Sequence, residues 1–334
     1  MTAPLLHVQD LRVTLPGPPP VTPVRGISLS LRAGDTLGII GESGSGKSLT
    51  ALALMGLLPE GAQLQGQLAL DGRGLAQASD ADWCRLRGKR IAMVFQEPMS
   101  ALNPVQPIGQ QVAEPLRIHA RLSRADARAR ALALLERVGI PHAAQRLDAY
   151  PHQFSGGQRQ RICIAMALAG EPDVLIADEP TTALDATVQR QILDLLAELV
   201  AERHMALVLI SHDLGVVAHT TQQVAVMYAG QFVETGPTAE VFAHPRHPYT
   251  QGLFAARPRL LARPDDAPPE PLTTIPGQVP DLRALDAMTG CSFAPRCAFA
   301  TPVCDALPPL AAVSASHAVR CLRWPDVQDK APFT

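Results

Sequence analysis

Residues 5–15, LLHVQDLRVTL, alternate apolar and polar positions, the period of a strand with one buried face. A proline-rich turn, PGPPP, follows, and ISLSLRAG alternates again before a Gly-Asp turn. TLGII at 36–40 is continuously apolar, as expected of a strand buried on both faces. A Gly-rich loop and a helix over LTALALMGLL come next. From about residue 105 to 150 the chain is rich in Ala, Leu and Arg and predicts helices. Ser123 suits the N-cap, and Gly139 the stop, of the helix ADARARALALLERV. VLIAD (174–178) and ALVLIS (206–211) read as buried strands. Between them, VQRQILDLLAELV puts Val188, Ile192, Leu195, Leu196 and Leu199 on one helical face. Strands alternating with helices imply an α/β fold with a mostly parallel sheet.

Near residue 241 the composition shifts: 15 of the 31 prolines fall between 241 and 334. That predicts a separate C-terminal extension with little regular structure. There is no internal repeat. A chain of 334 residues is long enough for two or more domains. The 29 basic and 31 acidic side chains nearly cancel and form no like-charge block, which argues against nucleic acid as the main partner. No apolar run approaches the roughly 20 residues that span a bilayer. The start, MTAPLLHVQDLRVTL, lacks the basic and long apolar stretches of a secretion signal. The expectation is a cytosolic chain whose thiols stay reduced.

GESGSGKS, residues 41–48, fits G-x-x-x-x-G-K-[ST] and lies between a strand and a helix. In Gly41, Glu42, Ser43, Gly44, Ser45 and Gly46, glycines let backbone N–H groups curl around phosphate oxygens, and the following helix N-terminus adds a favourable dipole. Lys47 would neutralise the β- and γ-phosphates, and Ser48 would ligate Mg²⁺. The strand VLIAD ends in Asp178, suited to hold the Mg²⁺ shell; Glu179 beside it suits a general base for an attacking water. In QFSGGQRQR, two glycines after Ser155 open the helix QRQRICIAMALA, a second helix start fit for anionic phosphate. One nucleotide needs one phosphate loop, so the second start suggests that two chains share each nucleotide.

With these motifs in this order, residues 5–240 resemble the ATP-binding cassette family, the motor subunits of ATP-driven transporters. The matching pieces are the phosphate loop, a glutamine loop at Gln96, the signature SGGQ at 155–158, Asp178-Glu179, an ALD turn at 183–185 and a switch histidine, His212. Phe154 stands where the family usually has Leu, a mild apolar swap. The resemblance implies a P-loop NTPase (RecA-like) parallel-sheet core with an antiparallel β subdomain, an inserted helical subdomain and a Cys-rich C-terminal extension. It implies an ATPase domain over 1–240, with the nucleotide core in 1–95 and 161–240, helices over about 96–160, and the extension over 241–334. It gives Gln96 the sensing of Mg²⁺ and the attacking water, and a link to the helical insert. Ser155, Gly156, Gly157 and Gln158 would contact the γ-phosphate held by the opposite subunit, and Asp185 the facing subunit. His212 would hold the γ-phosphate side of the site; read alone, it is a surface histidine after a strand.

The family usually stacks adenine on an aromatic residue of the N-terminal β region. No Phe, Tyr or Trp occurs here before Trp83, and Leu15 is the nearest apolar stand-in. Aliphatic contact in place of π-stacking predicts weak base discrimination.

FQEPMSALNP (95–104) and HPRHPYTQGL (244–253) look like segments of the ATPases of bacterial dipeptide, oligopeptide and nickel importers. That resemblance implies ATP and Mg²⁺ as cofactor and ion, a second homologous ATPase, two transmembrane permeases and an extracytoplasmic solute-binding protein. It also implies a seat on the cytoplasmic face of the membrane, with the permeases' coupling helices received at Gln96 and the helices after it. A nickel importer stays open. A soluble cassette ATPase of translation or repair is disfavoured, since tandem cassettes, long coiled-coil insertions and a basic bias are missing. A GTPase switch is disfavoured by the lack of an NKxD-type motif.

Cys291, Cys297, Cys304 and Cys321 are spaced C-x5-C-x6-C-x16-C, in a tail without C-x2-C pairs. Four thiolates can hold an iron–sulfur cluster or a tetrahedral zinc, or stand as incidental reduced thiols. A proline-rich segment without a core needs a staple, which favours a metal. Several peptide-importer ATPases carry a C-terminal four-cysteine 4Fe-4S site, and the resemblance implies one here. Cys84 and Cys163 stand apart from this set.

Overall fold

The structure, a computed structural model, describes residues 3–182, 184–256 and 274–327. In chain order the strands are β1 (Leu6–Leu15), β2 (Val21–Leu31), β3 (Thr36–Ile40), β4 (Gln63–Leu70), β5 (Arg73–Gly74), β6 (Ile91–Val94), β7 (Val174–Asp178), β8 (Ala206–Ile210), β9 (Gln223–Tyr228), β10 (Gln231–Pro237), β11 (Ala311–Ala312) and β12 (Ala318–Val319). The helices are α1 (Lys47–Leu54), α2 (Asp80–Leu86), α3 (Pro98–Ala101), α4 (Ile108–His119), α5 (Arg124–Arg137), α6 (Ala143–Arg146), α7 (Gly156–Leu168), α8 (Ala186–Arg203), α9 (Leu214–Thr220), α10 (Thr238–Ala243), α11 (Pro248–Ala255), α12 (Leu282–Ala287) and α13 (Trp324–Val327).

Two sheets carry the fold. A four-stranded antiparallel sheet runs β2-β1-β4-β5, and an eight-stranded sheet runs β11-β12-β10-β9-β3-β8-β7-β6. In the larger sheet, β9, β3, β8, β7 and β6 pair in parallel, and the β10 edge is antiparallel. The central strands are buried on both faces. Leu175, Ala177, Leu207 and Leu209 pack into the core beneath the helices, while Val174, Ile176, Val208 and Ile210 face a second core shared with the smaller sheet.

The alternation in β1 is broken once, and the break is a bulge. Asp10 takes a φ of 47° and the pairing register shifts there, so Leu6, Val8, Leu11 and Val13 all reach the buried face. Gly66 on β4 makes room: a Cβ there would stand 2.3 Å from the Asp10 carbonyl oxygen.

Most predicted helices form near their expected places. Ser123 caps α5 by accepting from the Asp126 N–H (3.1 Å), and Gly139 follows it with a φ of 76°. On α8, Ile192, Leu195, Leu196 and Leu199 are buried and Val188 is half-buried against the same core. Helix α1 starts earlier than its apolar run, so Lys47 and Ser48 lie in its first turn.

The C-terminal part is not a separate lobe. Strands β12 and β11 extend the main sheet beyond β10, with Glu234 opposite Val319. Tyr249 and Phe293 are buried with Tyr228 of β9 in a third core. The Asp286 carboxylate of α12 accepts the Thr22 N–H of β2 (3.0 Å). Among the described residues after α11 the regular elements are short, but proline density is blind to packing. The apolar aromatics among the prolines are what dock the segment.

Candidate functional site

The loop 41–48 leaves the carboxyl end of β3 and enters α1. A Cβ on Gly41 would lie 2.1 Å from the Met227 carbonyl oxygen, so only glycine lets the loop pass so close to β9. Gly46, at a φ of 102°, sits at the N-cap of α1 with no side-chain cap. The N–H groups of that first turn are therefore left for an anion. Lys47 is buried, and its Nζ donates to the carbonyl oxygens of Gly41 (2.8 Å) and Glu42 (2.9 Å). Burial pulls its pKa down, opposed by the charges of Glu179, Asp178 and Glu42. Ser43, Gly44 and Ser48 are exposed on the open side of the loop, and Ser45 is buried.

Parallel pairing with β8 sets Asp178 opposite Ile210. Asp178 is buried and its Oδ1 has no hydrogen-bond partner. Burial raises its pKa, and a bond to Ser48 and the charge of Lys47 pull it back. An orphaned carboxylate oxygen beside a serine hydroxyl suits a hard divalent cation. The two residues thus fit the Mg²⁺ site read from sequence.

Glu179 follows in a left-handed conformation, φ 45°, with its N–H donating to the Ile210 carbonyl (2.9 Å). A non-glycine residue held there is strained, a mark of functional positions. One oxygen, Oε2, gathers three neighbours. Gln96 Nε2 donates to it at 3.1 Å, Thr182 Oγ1 donates at 2.9 Å, and His212 Nδ1 stands 3.2 Å away. The structure thus joins Gln96, Glu179 and His212, which lie on three different loops. Thr182 was missed in the sequence; its signal was only its place three residues after Glu179, one turn on.

Ser155, Gly156, Gly157 and Gln158 lie elsewhere, at the start of α7. Ser155 Oγ accepts from the Gln158 N–H (3.3 Å) and Gln158 Oε1 accepts from the Ser155 N–H (3.2 Å). Gly157 packs against α8, where a Cβ would meet Val188 Cγ1 at 2.6 Å. Asp185 caps α8 by accepting from the N–H groups of Thr187 (3.1 Å) and Val188 (3.0 Å). Ser155, Gly156 and Asp185 are exposed, and none of these hydrogen bonds reaches the phosphate loop. Ala183, the first residue of the ALD turn, lies outside the described residues.

The sequence model of the ABC transporter family matches residues 24–182, and that of the oligopeptide/dipeptide transporter C-terminal region matches 233–304. A Brucella melitensis protein provisionally named a peptide import ATP-binding protein is 48% identical over 97% of this chain and 98% of its own. The oligopeptide transport ATP-binding protein OppD of Escherichia coli is 49% identical over 92% of this chain and 89% of its own. The chain belongs to the ATP-binding cassette transporter family. Among solved structures, a dimeric ATP-binding cassette in a post-hydrolysis state, bound to ADP and Pi, superposes with a TM-score of 0.63 at 27% identity. That match covers 70% of this chain and 98% of the other. The chain therefore has the mixed α/β fold of ABC ATPases and is an ATPase. No helix among its described residues is long and apolar enough to cross a membrane.

In this ABC ATPase the four tail cysteines come together. Cys291, Cys297, Cys304 and Cys321 line one small cavity with Phe293 and Pro308. Burial pushes the thiols of Cys291 and Cys297 up and that of Cys321 up to about 11, so they are neutral when no cation is bound. Among the described residues no group of three or more His, Cys, Asp or Glu stands ready-arranged to hold a metal ion. Cys163 is buried apart in the helical core and Cys84 is exposed on α2.

Proposed function

We propose that this ABC ATPase is the motor of a peptide importer, coupling ATP binding and hydrolysis to passage of di- or oligopeptides through partner permeases. The observation that carries this reading is that the likeness to peptide-import ATPases runs through the tail as well as the cassette.

In this reading Lys47 and the N–H groups of residues 43–48 hold the phosphates of ATP. Ser48, Asp178 and Gln96 would hold Mg²⁺, which when bound would draw charge from the γ-phosphate. Glu179 takes a proton from the attacking water, and Gln96, Thr182 and His212 orient its carboxylate. Ser155, Gly156, Gly157, Gln158 and Asp185 would serve the nucleotide of a second, homologous ATPase in a head-to-tail heterodimer; of these Ser155, Gly156 and Asp185 are exposed. The reading assigns an ATPase domain to 1–240, with a nucleotide core (1–95 and 161–240) and a helical part at about 96–160 that would face the permeases, and the tail to 241–334. The assembly would also include a solute-binding protein and would sit on the cytoplasmic face of the membrane.

Purification of the chain from solubilised native membranes tests the proposal. Two multispanning permeases and a second ATPase should co-purify, and peptide with the binding protein should stimulate ATP hydrolysis in proteoliposomes. Stimulation by Ni²⁺ alone, or recovery of no permease, would overturn it.

The same reading gives the four thiols a 4Fe-4S cluster. Four sulfur donors on one cavity support it; the cluster would serve as a cross-link. Iron and acid-labile sulfide in anaerobically purified protein are the check. Zinc in their place, or neither, would refute the cluster.

A further inference from the structure

The tail grips the phosphate loop at its second residue. Both carboxylate oxygens of Glu42 accept from Arg296: Nη1 at 2.8 Å and Nη2 at 3.2 Å. The backbone N–H of Glu42 donates to the Tyr249 hydroxyl oxygen at 2.8 Å. Arg296 and Tyr249 are separated from Glu42 by 254 and 207 residues. Both are themselves held. The Arg296 side chain is only 6% exposed, its Nε donates to the Pro276 carbonyl oxygen (2.9 Å), and its guanidinium lies over the rings of Tyr228 (5.8 Å) and Phe293 (6.0 Å). Tyr249 is fully buried with its ring centroid 4.7 Å from that of Tyr228.

A carboxylate in a loop built to wrap a polyphosphate works against its ligand. Glu42 is close enough to Lys47 to act on its charge. A free Glu42 would repel the phosphates and compete for that lysine. Arg296 removes both effects at once: it neutralises the carboxylate and pins it on the side of the loop toward the tail. Tyr249 fixes the backbone at the same residue, so the loop is shaped before nucleotide arrives.

We infer that Arg296 and Tyr249 are positioning residues for the phosphate loop, so that nucleotide affinity depends on the docked tail. Arg296 ends the turn Ala294–Arg296, between Cys291 and Cys297, so the grip depends on the fold of the thiol-bearing segment. The inference is independent of the transported cargo.

Titration calorimetry of the full-length protein with ATP and ADP tests it. Arg296→Met should raise Kd for both nucleotides about tenfold, because it leaves a poorly solvated carboxylate unpaired at the loop. Adding Glu42→Gln to that variant should restore Kd to within about threefold of wild type, since a neutral amide repels no phosphate. Relief of Kd with single and double variants melting at the same temperature separates the charge effect from a structural one. An unchanged Kd in Arg296→Met, or a loss that Glu42→Gln does not relieve, would overturn the inference. If Arg296→Met does not fold, Tyr249→Phe decides: it keeps the ring, removes one acceptor, and should raise Kd about threefold in a variant that stays folded, with only a small fall in melting temperature. Wild-type affinity in Tyr249→Phe would refute the tail's hold on the loop.

Discussion

Thr182 Oγ1 donates a 2.9 Å hydrogen bond to the same Glu179 oxygen that Gln96 Nε2 bonds at 3.1 Å. One donor comes from the turn that follows Glu179, the other from the loop after β6. The carboxylate is thus held from within its own segment and from the loop between β6 and α3. A shift of that loop would be felt at Glu179 directly.

Thr182→Ala should lower kcat about ten- to a hundredfold with little change in KM for ATP, the scale of one hydrogen bond to a charged group. Thr182→Ser should retain most activity. Steady-state phosphate release with the assembled transporter is the measurement, and equal loss in both variants would reject the hydroxyl's role.

Glu179→Gln keeps the shape of the side chain and removes its basicity. Hydrolysis should fall by about 10²–10⁴ while ATP still binds. Phosphate release and nucleotide binding on the same preparation would show whether the two functions separate; joint loss would point to a collapsed loop.

Leu15 is half-buried at the end of β1, paired with Val21 across the turn, and offers no ring to a base. ATP and GTP should bind within about tenfold of each other. Leu15→Tyr should favour ATP by about 1 kcal/mol, the scale of one aromatic stacking contact. Competition binding checks both, and strong ATP preference in the wild type would count against the aliphatic contact.

His317 joins two carboxylates: Nε2 stands 2.8 Å from Glu234 and Nδ1 stands 3.3 Å from Glu240. Glu234 also accepts the N–H groups of Arg246 and His247. Burial opposes the imidazolium, but the hydrogen bonds and charges of Glu234 and Glu240 raise its pKa above the ordinary value. A raised folded-state pKa contributes stability that is fully present below about pH 6.5 and fades as pH rises through the folded value. His317→Gln should therefore lower the melting temperature most at pH 6 and less at pH 9, with a maximum cost of about 3 kcal/mol. Thermal melts at both pH values decide; a gap that widens with pH would mean that His317 is neutral in the fold.

The chain itself determined the parts whose chemistry is local. The phosphate loop, the cap at Ser123, the α8 apolar face and the two buried strands follow from spacing, since a helix or a doubly buried strand repeats its environment every few residues. Gln96, Glu179 and His212 could be named one by one through the family resemblance. Their meeting on a single oxygen needed the parallel order of β6, β7 and β8, which brings three strand ends side by side. Likewise, four cysteines could be counted, but only folding sets them around one cavity. What the tertiary structure alone decided is the tail's place: strands β12 and β11 complete the main sheet, and Arg296 meets Glu42. A contact across 254 residues leaves no periodicity behind, and a proline-rich segment gives no sign of the surface it covers.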